Sequence, residues 1–164
     1  MRILIYSIVA AALFCQTAMS DELSGLMKRA GQEDAGAQYE LGMLYGKGRG
    51  VRQDYTKAVE LFAKAAEKGH SGAQYELACL YYAGMGVEQD KARARSLFAA
   101  AADHGDMEAQ YFLARMYNKG REVKKSYRKA AYWYNRAAQQ GNPEARKHLQ
   151  NICEDRPSAC KDLD

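Results

Sequence analysis

The sequence predicts an all-α fold, a solenoid of helical-hairpin repeats, and three observations predict it. The first is self-similarity. Gly36-Ala37-Gln38-Tyr39-Glu40-Leu41 returns as Gly72-Ala73-Gln74-Tyr75-Glu76-Leu77 and then as Glu108-Ala109-Gln110-Tyr111-Phe112-Leu113, 36 residues apart each time. A fixed period in this range marks stacked supersecondary units. The second is apolar spacing. Ala37, Leu41, Leu44 and Tyr45 fall at i, i+4, i+7 and i+8, and Ala58, Phe62, Ala65 and Ala66 do the same. That spacing places them on one face of a 3.6-residue helix. The third is punctuation: Gly69, Gly105 and Gly141 keep the register, as do Val51, Val87 and Val123, while proline occurs only twice. Alanine-rich segments broken by glycine suit helices joined by tight turns.

Each element follows in chain order. Residues 1–20 read as a signal peptide: Arg2 supplies a short basic start and Ile3 to Phe14 an apolar run too short to span a bilayer. Ala18-Met19-Ser20 offers the small residues of a cleavage site, so the mature chain is expected to begin at Asp21. Residues 21–34 form an N-terminal cap. Leu26 aligns with Phe62 and Ala30 with Ala66, so 22–31 read as the second helix of an incomplete leading unit. Three full repeats follow at 35–70, 71–106 and 107–142. In each, a first helix meets a glycine linker (Gly46-Lys47-Gly48-Arg49-Gly50-Val51 in the first), and glycine accepts the left-handed backbone that stops a helix. Asp54, Asp90 and Ser126 precede the second helices, where a side-chain oxygen caps free amides. Residues 143–164 begin a fourth unit with Pro143-Glu144-Ala145, and Leu149 matches Leu113, but the unit stops after one helix and a tail.

The 164 residues suffice for one domain, and the formal charge is +4 from 24 basic and 20 acidic residues. Charge this balanced and dispersed excludes a dedicated nucleic-acid binder. Cleavage before Asp21 removes Arg2 and no acid, which lowers the charge by one. Cys79, Cys153 and Cys160 remain, and an exported chain keeps disulfides. Cys153 aligns with Tyr45, Tyr81 and Tyr117, and Cys160 lies beyond Pro157, where the chain has left the helix. A Cys153–Cys160 bridge would fold the tail over the open end of the solenoid and leave Cys79 free. Three reduced cysteines, or a bridge between two molecules through Cys79, are the alternatives.

The order Ala37, Leu41, Gly42, Tyr45, Gly48, Gly50, Val51, Asp54, Lys57, Ala58, Phe62, Ala65, Ala66, Gly69 resembles the Sel1-like repeat family, cousins of the tetratricopeptide repeats. The match recurs in register three times and covers nearly all of the chain beyond residue 20. Repeat three departs from it at Glu122, in place of the second linker glycine, and at Ser126, in place of the capping Asp, so its linker is expected to differ. The resemblance implies a right-handed α-solenoid of antiparallel helix pairs with a concave partner-binding groove. It implies an adaptor, assembly factor or regulator, often of the bacterial envelope, and no shared catalytic residues.

Several constellations reduce to structural readings. Ser126-Tyr127-Arg128-Lys129 and Ser158-Ala159-Cys160-Lys161 fit the S-x-x-K pattern of penicillin-recognising enzymes, but the companion motifs are missing and Ser126 stands at a capping position. The linker glycines lack the Lys-Ser/Thr of a phosphate loop. His70, His104 and His148 are isolated, so no metal site is expected, and no cofactor. Trp133 and Tyr134 align with Leu97-Phe98 and read as core, whereas Tyr132 replaces Glu60 and Ser96 at an exposed position and is a candidate partner contact.

The sharper candidate is a stripe on the first helices, away from the core set. Glu40, Met43 and Lys47 correspond to Glu76, Cys79 and Ala83, then to Phe112, Arg115 and Lys119, then to His148 and Asn151. The stripe varies while its neighbours repeat, as expected where no packing rule constrains the residue, and Phe112 and Arg115 are types that anchor interfaces. An ordinary solvated face is the competing reading. The expected function is therefore a periplasmic or secreted non-enzymatic adaptor, monomeric and without a membrane segment after cleavage, that binds a protein in its groove. One rival is an immunity protein against a secreted lipase-type effector. The other is an envelope hydrolase of β-lactamase type, for which the chain offers no nucleophile and base.

Overall fold

The computed structural model describes residues 21–161 and 163. Residues 21–31 are helical (α1), followed by α2 (Ala35–Lys47), α3 (Tyr55–Glu67), α4 (Ser71–Ala83), α5 (Lys91–Asp103), α6 (Met107–Lys119), α7 (Tyr127–Gln139) and α8 (Pro143–Asp155). A 3-10 turn over Pro157–Cys160 closes the chain. No strand occurs among the described residues. Each helix packs on its sequence neighbours, α2 on α3, α3 on α4 and so on to α8, so contacts run locally along a solenoid. The predicted signal peptide and cleavage site lie outside the described residues.

Each α-helix from α2 to α8 starts at a side-chain cap, and the caps fall into two registers. Asp54, Asp90 and Ser126 accept from the backbone N–H three residues on, opening α3, α5 and α7 as their positions predict. Asp34, His70, Asp106 and Asn142 do the same for α2, α4, α6 and α8. His70 uses Nδ1, which accepts from Ala73 N–H at 3.2 Å. This second register has the same 36-residue spacing, and the apolar pattern carried no sign of it. The first helices run through Gly46 and its equivalents and stop one residue after Lys47, where Gly48, Gly84 and Gly120 take φ of 65°, 70° and 69°.

The linker of the third repeat does not differ, contrary to expectation. Glu122 adopts φ 60°, the conformation of Gly50 and Gly86. Its neighbours support it: Lys91 Nζ lies 3.2 Å from its carboxylate, and Arg95 donates to its carbonyl at 2.7 Å. At the preceding joint only glycine fits, because a Cβ on Gly86 would lie 2.4 Å from the carbonyl carbon of Tyr55.

The core is alanine-rich along the helix seams, with Ala58, Ala73, Ala94, Ala109, Ala130 and Ala145 fully buried. Small residues allow close helix approach, and Phe62, Phe98 and Tyr134 fill the interior of successive hairpins. Three buried glutamines tie unit to unit. Gln38, Gln74 and Gln110 donate to the carbonyls of Ala30, Ala66 and Ala102 at the end of the preceding second helix. Gln74 and Gln110 also meet the end of the second helix of their own unit, through His104 Nδ1 at 2.9 Å and Gln140 Nε2 at 2.8 Å. At the leading joint Lys68 occupies that register and turns to Glu33 instead, and Gln38 Oε1 has no partner.

At the C-terminus Cys153 is bonded to Cys160, with Cα atoms 5.6 Å apart, and Cys79 is free. The bridge draws the 3-10 turn onto α7 and α8, where Ala159 and Leu163 join the cluster around Tyr134 and Ile152.

Candidate functional site

The stripe on the first helices is less remote from the core than its register suggested. Met43, Cys79 and Phe112 are half-buried and pack against the central cluster. Phe112 stacks on Phe98 with centroids 4.3 Å apart and meets the Tyr82 ring edge-on at 5.9 Å. These three positions form an apolar floor. A period-3.6 pattern separates inner from outer positions on one helix, but a residue on the boundary is buried or bare according to the neighbouring helix. Glu40, Lys47, Arg115 and Lys119 on the same helices are exposed.

Stacking brings stripe residues from successive helices into electrostatic range. Burial raises the Glu76 carboxyl above the usual carboxylate range; Lys47 on α2 opposes that shift and Asp106 adds to it. Burial likewise pushes the Cys79 thiol up to about 11, helped by Glu76, so it is protonated and unreactive at neutral pH. Burial lowers His148, and Arg115, Lys119 and Lys147 lower it further. Carboxylates thus gather over α4 and the start of α6, and cations over the end of α6 and over α8.

An opening of about 180 Å³ is lined by Tyr82, Phe112, Arg115, Met116, Lys119, Arg121 and Glu122. Tyr132 belongs elsewhere. It is 46% exposed on α7, a second helix, and borders a separate hollow with Lys129, Ala159 and Leu163. Arg136 lies over its ring and that of Trp133. Sequence register alone placed Tyr132 on the surface but could not show which opening it borders.

Ser126 Oγ accepts from Lys129 N–H at 3.3 Å as a helix cap. Among the described residues no group of three or more His, Cys, Asp or Glu is placed to hold a metal, and no helix is long and apolar enough to cross a membrane.

An all-α solenoid with a preformed, variable side-chain face belongs to the class of helical-repeat scaffolds. Three copies of the Sel1 repeat match at residues 35–70, 71–106 and 108–142, and the chain belongs to the Sel1 repeat family. Members generally act in protein–protein interaction. Among solved structures it is similar to a Sel1 repeat protein from Oxalobacter formigenes, with 40% identity and a TM-score of 0.72 over 79% of this chain and 98% of that one. It is also similar to c5321, a protective antigen of uropathogenic Escherichia coli strains with an SLR fold, at 36% identity and a TM-score of 0.77. That match covers 82% of this chain but 29% of c5321. Helicobacter pylori cysteine rich protein B shares the fold at 17% identity, with a TM-score of 0.63 over 80% of this chain and 95% of that one. No curated protein sequence matches the chain.

Proposed function

We propose that this protein is an exported adaptor or regulator that binds a partner protein along its first-helix face. The observation that carries the reading is the face itself: a half-buried apolar floor of Met43, Cys79 and Phe112, bordered by exposed Glu40, Lys47, Arg115 and Lys119. Interfaces are built this way, with apolar and aromatic anchors inside a charged rim. The face is held by packing and by the buried glutamines between units, so binding needs little reorganisation and loses little ordering entropy. Export is supported by the bonded Cys153–Cys160 pair, since such bonds persist in oxidising compartments, and by the Arg2-to-Ser20 leader pattern. Intact mass of the exported chain is expected to begin at Asp21; full-length chain in the cytoplasm would count against export.

Photo-crosslinking tests the binding face. A crosslinking residue placed at Lys119 is expected to capture one partner in the native cell envelope, and one at the exposed Lys64 of α3 is not. Capture from Lys64 alone would sink the reading. The loss-of-binding variant should be Arg115→Ala with Lys119→Ala, because both side chains are exposed and their removal should change stability by less than about 0.5 kcal/mol. Phe112→Ala is unsuitable on its own. It removes the ring stacked on Phe98 and should cost about 2 kcal/mol, below the fully buried case because Phe112 is half-exposed.

A further inference from the structure

The opening beside Phe112 is chemically two-sided. Tyr82, Phe112 and Met116 give it an apolar wall, and Arg115, Lys119 and Arg121 give it a cationic rim. Glu122 also borders it, but its carboxylate is held by Lys91 at 3.2 Å. Among the described residues none of the three rim cations takes part in an ion pair. Arg115 lies 5.7 Å from the Tyr111 ring centroid and stays exposed. Lys147 on α8 extends the positive field, which His148 registers. Unpaired like charges around one cavity repel each other, and an incoming anion relieves that repulsion while pairing with them.

We propose that this opening takes an acidic segment of the partner protein: a carboxylate side chain seats between Arg115 and Lys119, and a neighbouring apolar side chain packs on Tyr82 and Phe112. The inference rests on the binding face proposed above and specifies the chemistry of its occupant. A guanidinium offers a carboxylate two parallel hydrogen bonds, and the aromatic wall rewards a bulky apolar neighbour. The acidic side of the same face fixes direction. Glu40, Glu76 and Glu108 repel further carboxylates, so the acidic part of the segment lies toward the C-terminal units. The same carboxylates disfavour a nucleic acid, whose phosphates would have to run across them.

A random peptide library displayed on phage and panned on the purified protein tests this, with selected peptides then measured by fluorescence anisotropy. Selected peptides are expected to carry Asp or Glu beside Leu, Ile, Phe or Trp. Their affinity should fall about tenfold or more on Arg115→Glu with Lys119→Glu, and should weaken as salt rises. Circular dichroism of the double variant should match the parent, since both side chains are exposed. Selection without acidic enrichment, or acidic peptides that bind the double variant equally well, overturns the proposal. Neutral or basic peptides that still respond to substitutions at Lys47, Arg115 or Lys119 would overturn the acidic occupant alone and leave first-helix binding standing. Peptides indifferent to all three positions would overturn both. A labelled oligouridylate that binds as tightly as the acidic peptides would assign the cations to a nucleic acid and overturn it as well.

Discussion

At Glu33 and Glu122 an L side chain holds a left-handed backbone, with φ of 65° and 60°. Both stand where other units have glycine, Gly69, Gly105 and Gly141 for the first, Gly50 and Gly86 for the second. This conformation costs a non-glycine residue about 1–2 kcal/mol, and each glutamate recovers part of that through a lysine of the adjoining unit, Lys68 or Lys91. The sequence registered Glu122 only as a departure from the repeat. The buried glutamines were equally visible and equally mute. Gln38, Gln74 and Gln110 lie inside the quoted motif, yet a polar residue beside an apolar face reads as surface until the neighbouring carbonyl is in place. Cys79 shows the chemical effect of such burial. With its thiol pushed up to about 11, the thiolate at pH 8 is about one in a thousand, against about one in ten at the ordinary value of 9.0. Alkylation of the folded chain by iodoacetamide should therefore run about a hundredfold slower than in urea, and a folded rate near the unfolded one would refute the burial. Because the folded value is raised, the associated stability is fully present below pH 9 and is lost as pH climbs through about 11.

At the scale of elements, helices were the most legible part of the chain. The i, i+4, i+7, i+8 faces, the caps at Asp54, Asp90 and Ser126 and the glycine stops all concern residues within one turn of each other, and local physics determines them. The joints between elements are different, because their cost depends on what stands opposite. Gly50 and Gly86 occupy the same repeat position with nearly the same φ, 71° and 70°. A Cβ on Gly50 meets open space, while one on Gly86 would sit 2.4 Å from the Tyr55 carbonyl carbon and 2.6 Å from its carbonyl oxygen. Gly50→Ala should accordingly cost only the backbone strain, about 1 kcal/mol. Gly86→Ala should add displacement of α3 against the linker and cost about 3 kcal/mol in total. Urea denaturation of the two variants checks this, and equal losses would show that the joint does not depend on close approach.

For the whole molecule, the ends decide whether a stack of repeats is soluble, since every internal unit is covered by its neighbours. The fourth unit lacks a second helix. The 3-10 turn over Pro157–Cys160 stands in for it and lays Ala159 and Leu163 on the Tyr134 cluster. Replacing Cys153 and Cys160 by Ser should release this cover. The closed loop is short, so the expected loss is about 2 kcal/mol, accompanied by faster hydrogen exchange in α8 and on the face of α7 beneath Ala159. Thermal melts under oxidising and reducing conditions should differ by a similar amount, and coincident melts would show that the tail caps nothing. Peptide mapping without reduction should yield a linked 153/160 pair and an alkylated Cys79.

The amino-acid sequence by itself determined the repeat length, the number of full units, the helix faces, most stops and three of the seven caps. Each of these is a periodic or short-range property, and a period can be counted without coordinates. Only the tertiary structure decided how deep the variable stripe lies, that Phe112 wedges between Tyr82 and Phe98, and that Tyr132 and Arg115 border different openings. It also decided that aromatic and cationic side chains line one cavity. These depend on residues some thirty positions apart brought together by stacking. Burial and electrostatic potential at a surface are set by whichever side chains the next unit presents, and a one-dimensional pattern does not contain that neighbour.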